Sequence, residues 1–160
     1  MKPNTVLITG ASRGIGRAAA YAFASKGYHL ILVCRNSGEI LQLLCEELKN
    51  SYHIECKMFQ GDVGDEVFVS SIFSQIDSLD ILVNNAGISY FGLLQDMTLQ
   101  SWNQVFSTNL TAAFLFSKYA IPLMLRSGHG RIINISSAWG TTGASLEVAY
   151  SASKSGLNVL

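Results

Sequence analysis

In the stretch YSASK, Tyr150 and Lys154 stand four positions apart, and Ser137 lies thirteen residues before Tyr150 at the end of the run GRIINISS. A free phenol has a pKa near ~10 and is a poor proton donor or acceptor at neutral pH. A neighbouring cation stabilises the phenolate and lowers that value, towards the range in which general acid and base work is efficient. On a helix, residues i and i+4 share a face, so Tyr150 and Lys154 would point into one cleft. A hydroxyl such as that of Ser137, presented from a strand end, can hydrogen-bond a carbonyl oxygen where negative charge builds as hydride arrives. By itself a Y-x-x-x-K pair marks a polar helix as readily as a catalytic site, so its company decides the reading.

That company begins at residues 9 to 16, TGASRGIG, where glycines at 10, 14 and 16 follow an apolar run and precede an Ala-rich helix start. Glycines permit tight turning and close backbone approach, and a helix N-terminus favours a pyrophosphate. Gly10, Ser12, Arg13, Gly14, Ile15 and Gly16 are therefore candidate cofactor-binding residues. Their spacing is G-x-x-x-G-x-G rather than G-x-G-x-x-G. The second apolar run ends Cys34, Arg35, Asn36, with no acid until Glu39. An acid at that place would accept the ribose hydroxyls of NAD, whereas an arginine suits a 2′-phosphate. Arg35, with Arg13 as a second guanidinium, points to NADP(H).

The elements that must position these groups follow from the pattern of apolar residues. Short β-rich runs at 4–9, 28–34, 53–59, 80–85 and 130–136 alternate with segments of helical period at about 14–26, 38–50, 65–76 and 99–126, and a last helix begins near Val148. Pro122 falls inside the fourth helix and is expected to bend it. Near-continuous Ile, Leu and Val in the strands predicts coverage on both faces. The expected fold class is α/β: a Rossmann-like, doubly wound parallel sheet in one domain over residues 1–160, with ligands bound beyond the carboxyl ends of the strands. Every motif above falls at such an end.

Composition narrows the function classes. The chain has 160 residues, 49% apolar, with 11 basic and 11 acidic side chains and zero formal net charge, so no broad field draws in nucleic acid or an anionic membrane. Cys34, Cys45 and Cys56 lack a C-x-x-C pattern, and His29, His53 and His129 are scattered. Both observations argue against a metal site and for buried thiols in a reducing cytoplasm. The N-terminal MKPNTVLITG shows no leader pattern, and the longest apolar stretch, 110–125, holds Lys118 and Pro122 and is too short to span a bilayer.

Across essentially its whole length the chain resembles the short-chain dehydrogenases/reductases. The resemblance rests on TGASRGIG at 9–16, Asp62 and Val63 after the third strand, NNAG at 84–87, Asn109, Ser137 and YSASK, in that order. It implies a proton passed by Tyr150, with Lys154 holding the nicotinamide ribose and lowering the tyrosine pKa. Ser137 would orient the carbonyl, and Asn109 would hold a water in a relay behind Lys154. It further implies that Asp62 and Val63 meet the adenine, and that Asn84, Ala86 and Gly87 line the cofactor.

Within that family the pattern is similar to the 3-oxoacyl-[acyl-carrier-protein] reductases, whose carrier protein docks on arginines. One of those arginines precedes the fifth strand, where this chain has Gly128 in GHGR. A narrower resemblance, in YFGLLQDMT at 90–98 and SSAWGTTGASLEVAYSASK at 136–154, is to reductases of a 5-aminopentanone group on elongation factor P, with Tyr90 and Trp139 shaping the entrance. Family members run on past the tyrosine helix, so the resemblance implies a C-terminal truncation and an exposed fifth-strand edge, with binding of nucleotide alone as the contrasting reading. It also implies a homo-oligomer when full length.

Overall fold

The structure, a computed structural model, describes residues 4–160; residues 1–3, which entered the reading of the N-terminus, lie outside the described residues. Five strands, β1 (Thr5–Thr9), β2 (His29–Cys34), β3 (Cys56–Gln60), β4 (Ile81–Asn84) and β5 (Arg131–Asn134), form one sheet in the order β3-β2-β1-β4-β5. All pairings are parallel, with Leu7 beside Ile31 and Leu82, and Asn84 beside Asn134. The helices between them are α1 (Gly14–Ala24), α2 (Gly38–Tyr52), α3 (Glu66–Phe73), α4 (Leu99–Phe106), α5 (Ala112–Ser127), α6 (Trp139–Thr142) and α7 (Val148–Val159).

Successive strand residues point to opposite faces, and the core divides accordingly. Val6, Ile8, Leu30 and Leu32 join Ala20, Ala24, Leu41, Leu44 and Leu48 of α1 and α2 on one face. Leu7, Ile31, Val33 and Leu82 join Val69, Ile72, Leu115 and Phe116 of α3 and α5 on the other. Continuous apolar strands are thus the mark of a sheet covered on both sides. Local signals set the helix ends: the Asp65 carboxylate accepts from Val67 N at 2.9 Å, Thr98 Oγ1 accepts from Ser101 N at 3.1 Å, and Gly128 ends α5 at φ 75°.

Two departures from the sequence reading bear on the site. The segment expected as one helix over 99–126 contains a π turn, Ser107–Thr111, between α4 and α5, and α5 continues through Pro122. The short α6 and a 3-10 turn at Leu94–Asp96 were not expected. β5 forms an edge of the sheet, with Ile132 38% and Ile133 39% exposed. No helix among the described residues is long and apolar enough to cross a membrane.

Candidate active site

The glycine loop is built into the fold by contacts that leave no room for side chains. Gly10 adopts φ 66°, and a Cβ there would stand 3.0 Å from Ala86 Cα and from Asn85 Nδ2. At Gly16 a Cβ would come within 2.5 Å of the Gly10 carbonyl oxygen and of Asn85 Nδ2, so α1 can start against the loop only because this residue has none. Gly14, at φ 54°, has nothing within 4 Å of its Cβ direction, which leaves open space over the first turn of α1. Arg13 caps that helix without a side-chain hydrogen bond, and no acid lies in the first turn. Ser12 is half-buried; Arg13 and Ile15 are exposed. Bare amides, positive backbone dipole and open space form a cradle of the kind a dinucleotide pyrophosphate needs.

Asn85 stitches this loop to β4. Its Nδ2 donates to the carbonyls of Thr9 at 2.9 Å and Gly10 at 3.1 Å, while the amides of Asn85 and Ala86 both donate to Thr9 Oγ1 at 3.0 Å. Asn84, singled out from the sequence, faces the other way: its Nδ2 donates to Asn134 Oδ1 at 2.9 Å and Ser117 Oγ at 3.3 Å, and its Oδ1 has no partner among the described residues. Asn84 is the last residue of β4 and Asn85 the next along the chain, so their side chains leave on opposite faces. The doubled asparagine in NNAG was the available signal for Asn85.

At the ends of β2 and β3, Arg35 and Asp62 form an ion pair at 2.9 Å, with both side chains about two-fifths exposed. Asp62 Oδ1 also accepts from Gly64 N at 2.9 Å. Val63 is buried in the core, so only its backbone can face a ligand. Arg35 is therefore not an idle cation; a phosphate arriving there meets a guanidinium already turned towards a carboxylate.

The proposed proton-transfer groups gather where β4 and β5 end. Lys154 is 4% exposed, and its Nζ donates to the Ile135 carbonyl at 2.6 Å and lies 5.8 Å from the Tyr150 ring centroid. Among the described residues no carboxylate pairs with it, and burial pushes the ammonium pKa below the ordinary lysine value. Such a cation is short of solvation and well suited to a phenolate neighbour. Ser136 Oγ donates to the Lys154 carbonyl at 3.3 Å, tying α7 to the end of β5, and the half-buried Ser137 Oγ accepts from Trp139 N at 3.2 Å, which leaves its proton free to donate.

Asn109 sits in the π turn, a local expansion of the helix that often marks functional positions. Its Oδ1 accepts from Ile88 N at 2.8 Å, and its Nδ2 donates to the Ile88 carbonyl and to Ser153 Oγ, both at 2.9 Å. Ser153 donates in turn to the Tyr150 carbonyl at 2.8 Å. A Cβ on Gly87 would stand 3.5 Å from both Asn109 Oδ1 and Lys154 Nζ, so these groups flank one point above the loop.

Two loops border this cleft and are held together by Gly92 N donating to the Leu146 carbonyl at 2.9 Å and Ser89 Oγ donating to Glu147 Oε1 at 2.7 Å. Phe91, Leu93 and Trp139 are exposed around them. A further cleft, lined by Thr5, His29, Glu55 and Gln75, opens at the opposite edge of the sheet, away from Tyr150 and the glycine loop.

The family model described as short chain dehydrogenase matches residues 4–160. The chain is 39% identical over 155 residues to the 3-oxoacyl-[acyl-carrier-protein] reductase FabG of Aquifex aeolicus, covering 94% of this chain and 62% of that protein. It is also 39% identical over 157 residues to the protein of that name from Staphylococcus aureus, covering 96% and 63%. The chain thus spans less than two thirds of these relatives. Among solved structures, a metagenomic short-chain oxidoreductase in complex with NADP superposes with a TM-score of 0.89 at 34% identity, covering 98% of this chain and 71% of that one.

Proposed function

The chain belongs to the short-chain dehydrogenases, and from that premise we propose that it carries the cofactor site and proton-transfer groups of an NADP(H)-dependent reductase of ketones, of the 3-oxoacyl thioester class. The observation that carries this reading is the buried, carboxylate-free Lys154 beside Tyr150, at the strand ends that also hold the glycine loop.

The residues present fit a dinucleotide. Gly10, Ser12, Arg13, Gly14, Ile15 and Gly16 would hold its pyrophosphate, Asp62 and Val63 its adenine, and Ala86 and Gly87 the sugar that follows. Arg35, with Arg13, would take the 2′-phosphate: an exposed ion pair is worth only ~0–1 kcal/mol, so the more highly charged phosphate can engage the guanidinium at small cost. When bound, the nicotinamide supplies the hydride. Ser137 donates a hydrogen bond to the carbonyl oxygen as charge develops, and Tyr150 gives that oxygen its proton. Lys154 stabilises the phenolate left behind. Asn109 clamps the loop after β4 to α7, and the remaining lone pair of its Oδ1 suits a relay water.

One observation favours a second substrate, the 5-aminopentanone group on elongation factor P. The Glu147 carboxylate, fixed by Ser89 at the border of the cleft, suits a ketone that carries an ammonium group. Gly128 adds to this: it closes α5 in a left-handed conformation where a carrier-docking arginine would be strained. Following NADPH consumption with a 3-oxoacyl thioester and with an amino-ketone, side by side, tests both. Turnover of the thioester alone supports the first reading, and turnover of the amino-ketone alone the second. Consumption of neither by the folded chain, or of NADH in preference to NADPH, contradicts the proposal.

A further inference from the structure

We propose that Cys45 and Cys56 are a redox modification site, at which a peroxide-class oxidant converts the two thiols into an intramolecular disulfide that pins α2 to the start of β3. The pair lies at the edge of the sheet opposite the Tyr150 cleft, and the inference does not depend on the function proposed above.

Three observations meet there. The sulfurs stand 3.0 Å apart, Cys56 donating its S–H to Cys45, so a disulfide at about 2 Å requires an approach of about 1 Å. Both residues are buried, yet both line one cleft together with Gln42, Glu46, Lys49 and Lys57, which gives a small oxidant a route to the sulfurs. The two thiols are also unequal. The hydrogen bond from Cys56 and the charge of Lys49, one helical turn on, draw the Cys45 pKa down against the opposing effects of burial and Glu46. The same hydrogen bond together with burial pushes the Cys56 thiol up. With Cys56 donating to Cys45, and Lys49 one turn along α2 in the same cleft, Cys45 is taken as the nucleophile and Cys56 as the resolving thiol.

The chemistry balances with peroxide as the oxidant. The Cys45 thiolate attacks one peroxide oxygen, the O–O bond breaks, and the chain is left with a sulfenic acid while the hydroxide released takes up a proton to become water. Cys56 sulfur then attacks the Cys45 sulfur, its proton leaves with the sulfenic hydroxyl as a second water, and the S–S bond forms. Two thiols and one peroxide give one disulfide and two waters. Cys34, buried and pushed up by desolvation, stays a thiol.

The test is hydrogen peroxide treatment of the fully reduced, folded chain, followed by thiol counting, intact mass and peptide mapping. The expected result is a fall from three free thiols to one, a mass lower by two hydrogens, a Cys45–Cys56 cross-linked peptide, and reversal by a dithiol. Cys34→Ser should leave the cross-link intact, and Cys56→Ser should leave a Cys45 sulfenic acid that a dimedone probe traps. Because the cross-linked peptide is read in the unsubstituted chain, a variant that fails to fold does not blunt the test. Three thiols remaining after peroxide, a cross-link through Cys34, or disulfides only between chains would overturn the proposal.

Discussion

Two charged groups mark the carboxyl edge of the sheet, and they are held in opposite ways. Lys154 is almost wholly buried, bonded to a backbone carbonyl and surrounded by the Asn109–Ile88–Ser153 network, whereas Arg35 shares an exposed ion pair with Asp62. A buried polar cluster has few alternatives: each lost partner leaves a donor or acceptor without water, so its geometry is fixed and costly to disturb. An exposed pair can re-form with water or a ligand at little cost. Under the proposed function this contrast would give the two groups different work, fixed positioning for proton transfer at Lys154 and adjustable cofactor preference at Arg35.

The most severe way to break the buried side is Asn109→Leu. It strands the Ile88 amide and carbonyl and removes the donor to Ser153 Oγ, and should cost about 3 kcal/mol or more in denaturant unfolding. A loss below ~1 kcal/mol would show that water replaces the clamp. Next comes the glycine loop, where the same contrast recurs within one turn. Gly16→Ala forces a Cβ onto the Gly10 carbonyl and should cost roughly 1–3 kcal/mol. Gly14→Ala meets no atom and carries only the left-handed backbone penalty of about 1 kcal/mol. Equal losses at the two sites would remove the distinction.

Lys154 offers a pH test with a definite sign. Its folded-state pKa lies below the 10.5 of an ordinary lysine, so between those values the unfolded chain binds more protons and stability rises with pH. Measured against Lys154→Met, the wild-type chain should gain stability as pH climbs through that window, and a flat difference would mean the ammonium is solvated. The smallest effect belongs to the exposed pair. Arg35→Ala should change stability by less than ~1 kcal/mol while raising the KM for NADPH and leaving that for NADH unchanged. A parallel rise for both cofactors would argue that Arg35 does not read the 2′-phosphate.

Much of this was legible in the sequence, for a reason visible in the core. Strands covered on both faces must be apolar throughout, so residues 4–9 and 28–34 stand out against the helical periods around them. The predicted strands are one to three residues longer than the paired ones, in part because flanking residues such as Asn4, Glu55, Asp80 and Ile135 still exchange single backbone hydrogen bonds with the neighbouring strand. The π turn at Asn109 left no trace, since its residues would serve equally in an α-helix. The role of Asn85 as the tie to the glycine loop was not read from the sequence, because which of two adjacent asparagines faces that loop depends on strand register. The contact of Cys45 with Cys56 depends on how α2 packs against β3, and spacing alone carries no sign of it.

Tyr150→Phe tests the central claim most directly, because it removes one hydroxyl and keeps the ring beside Lys154. Titration of NADPH into the variant, followed by ketone turnover on the same sample, should show unchanged cofactor binding and a kcat lower by about a hundredfold or more. Near-normal kcat with intact binding would contradict the account and move the proton donor elsewhere.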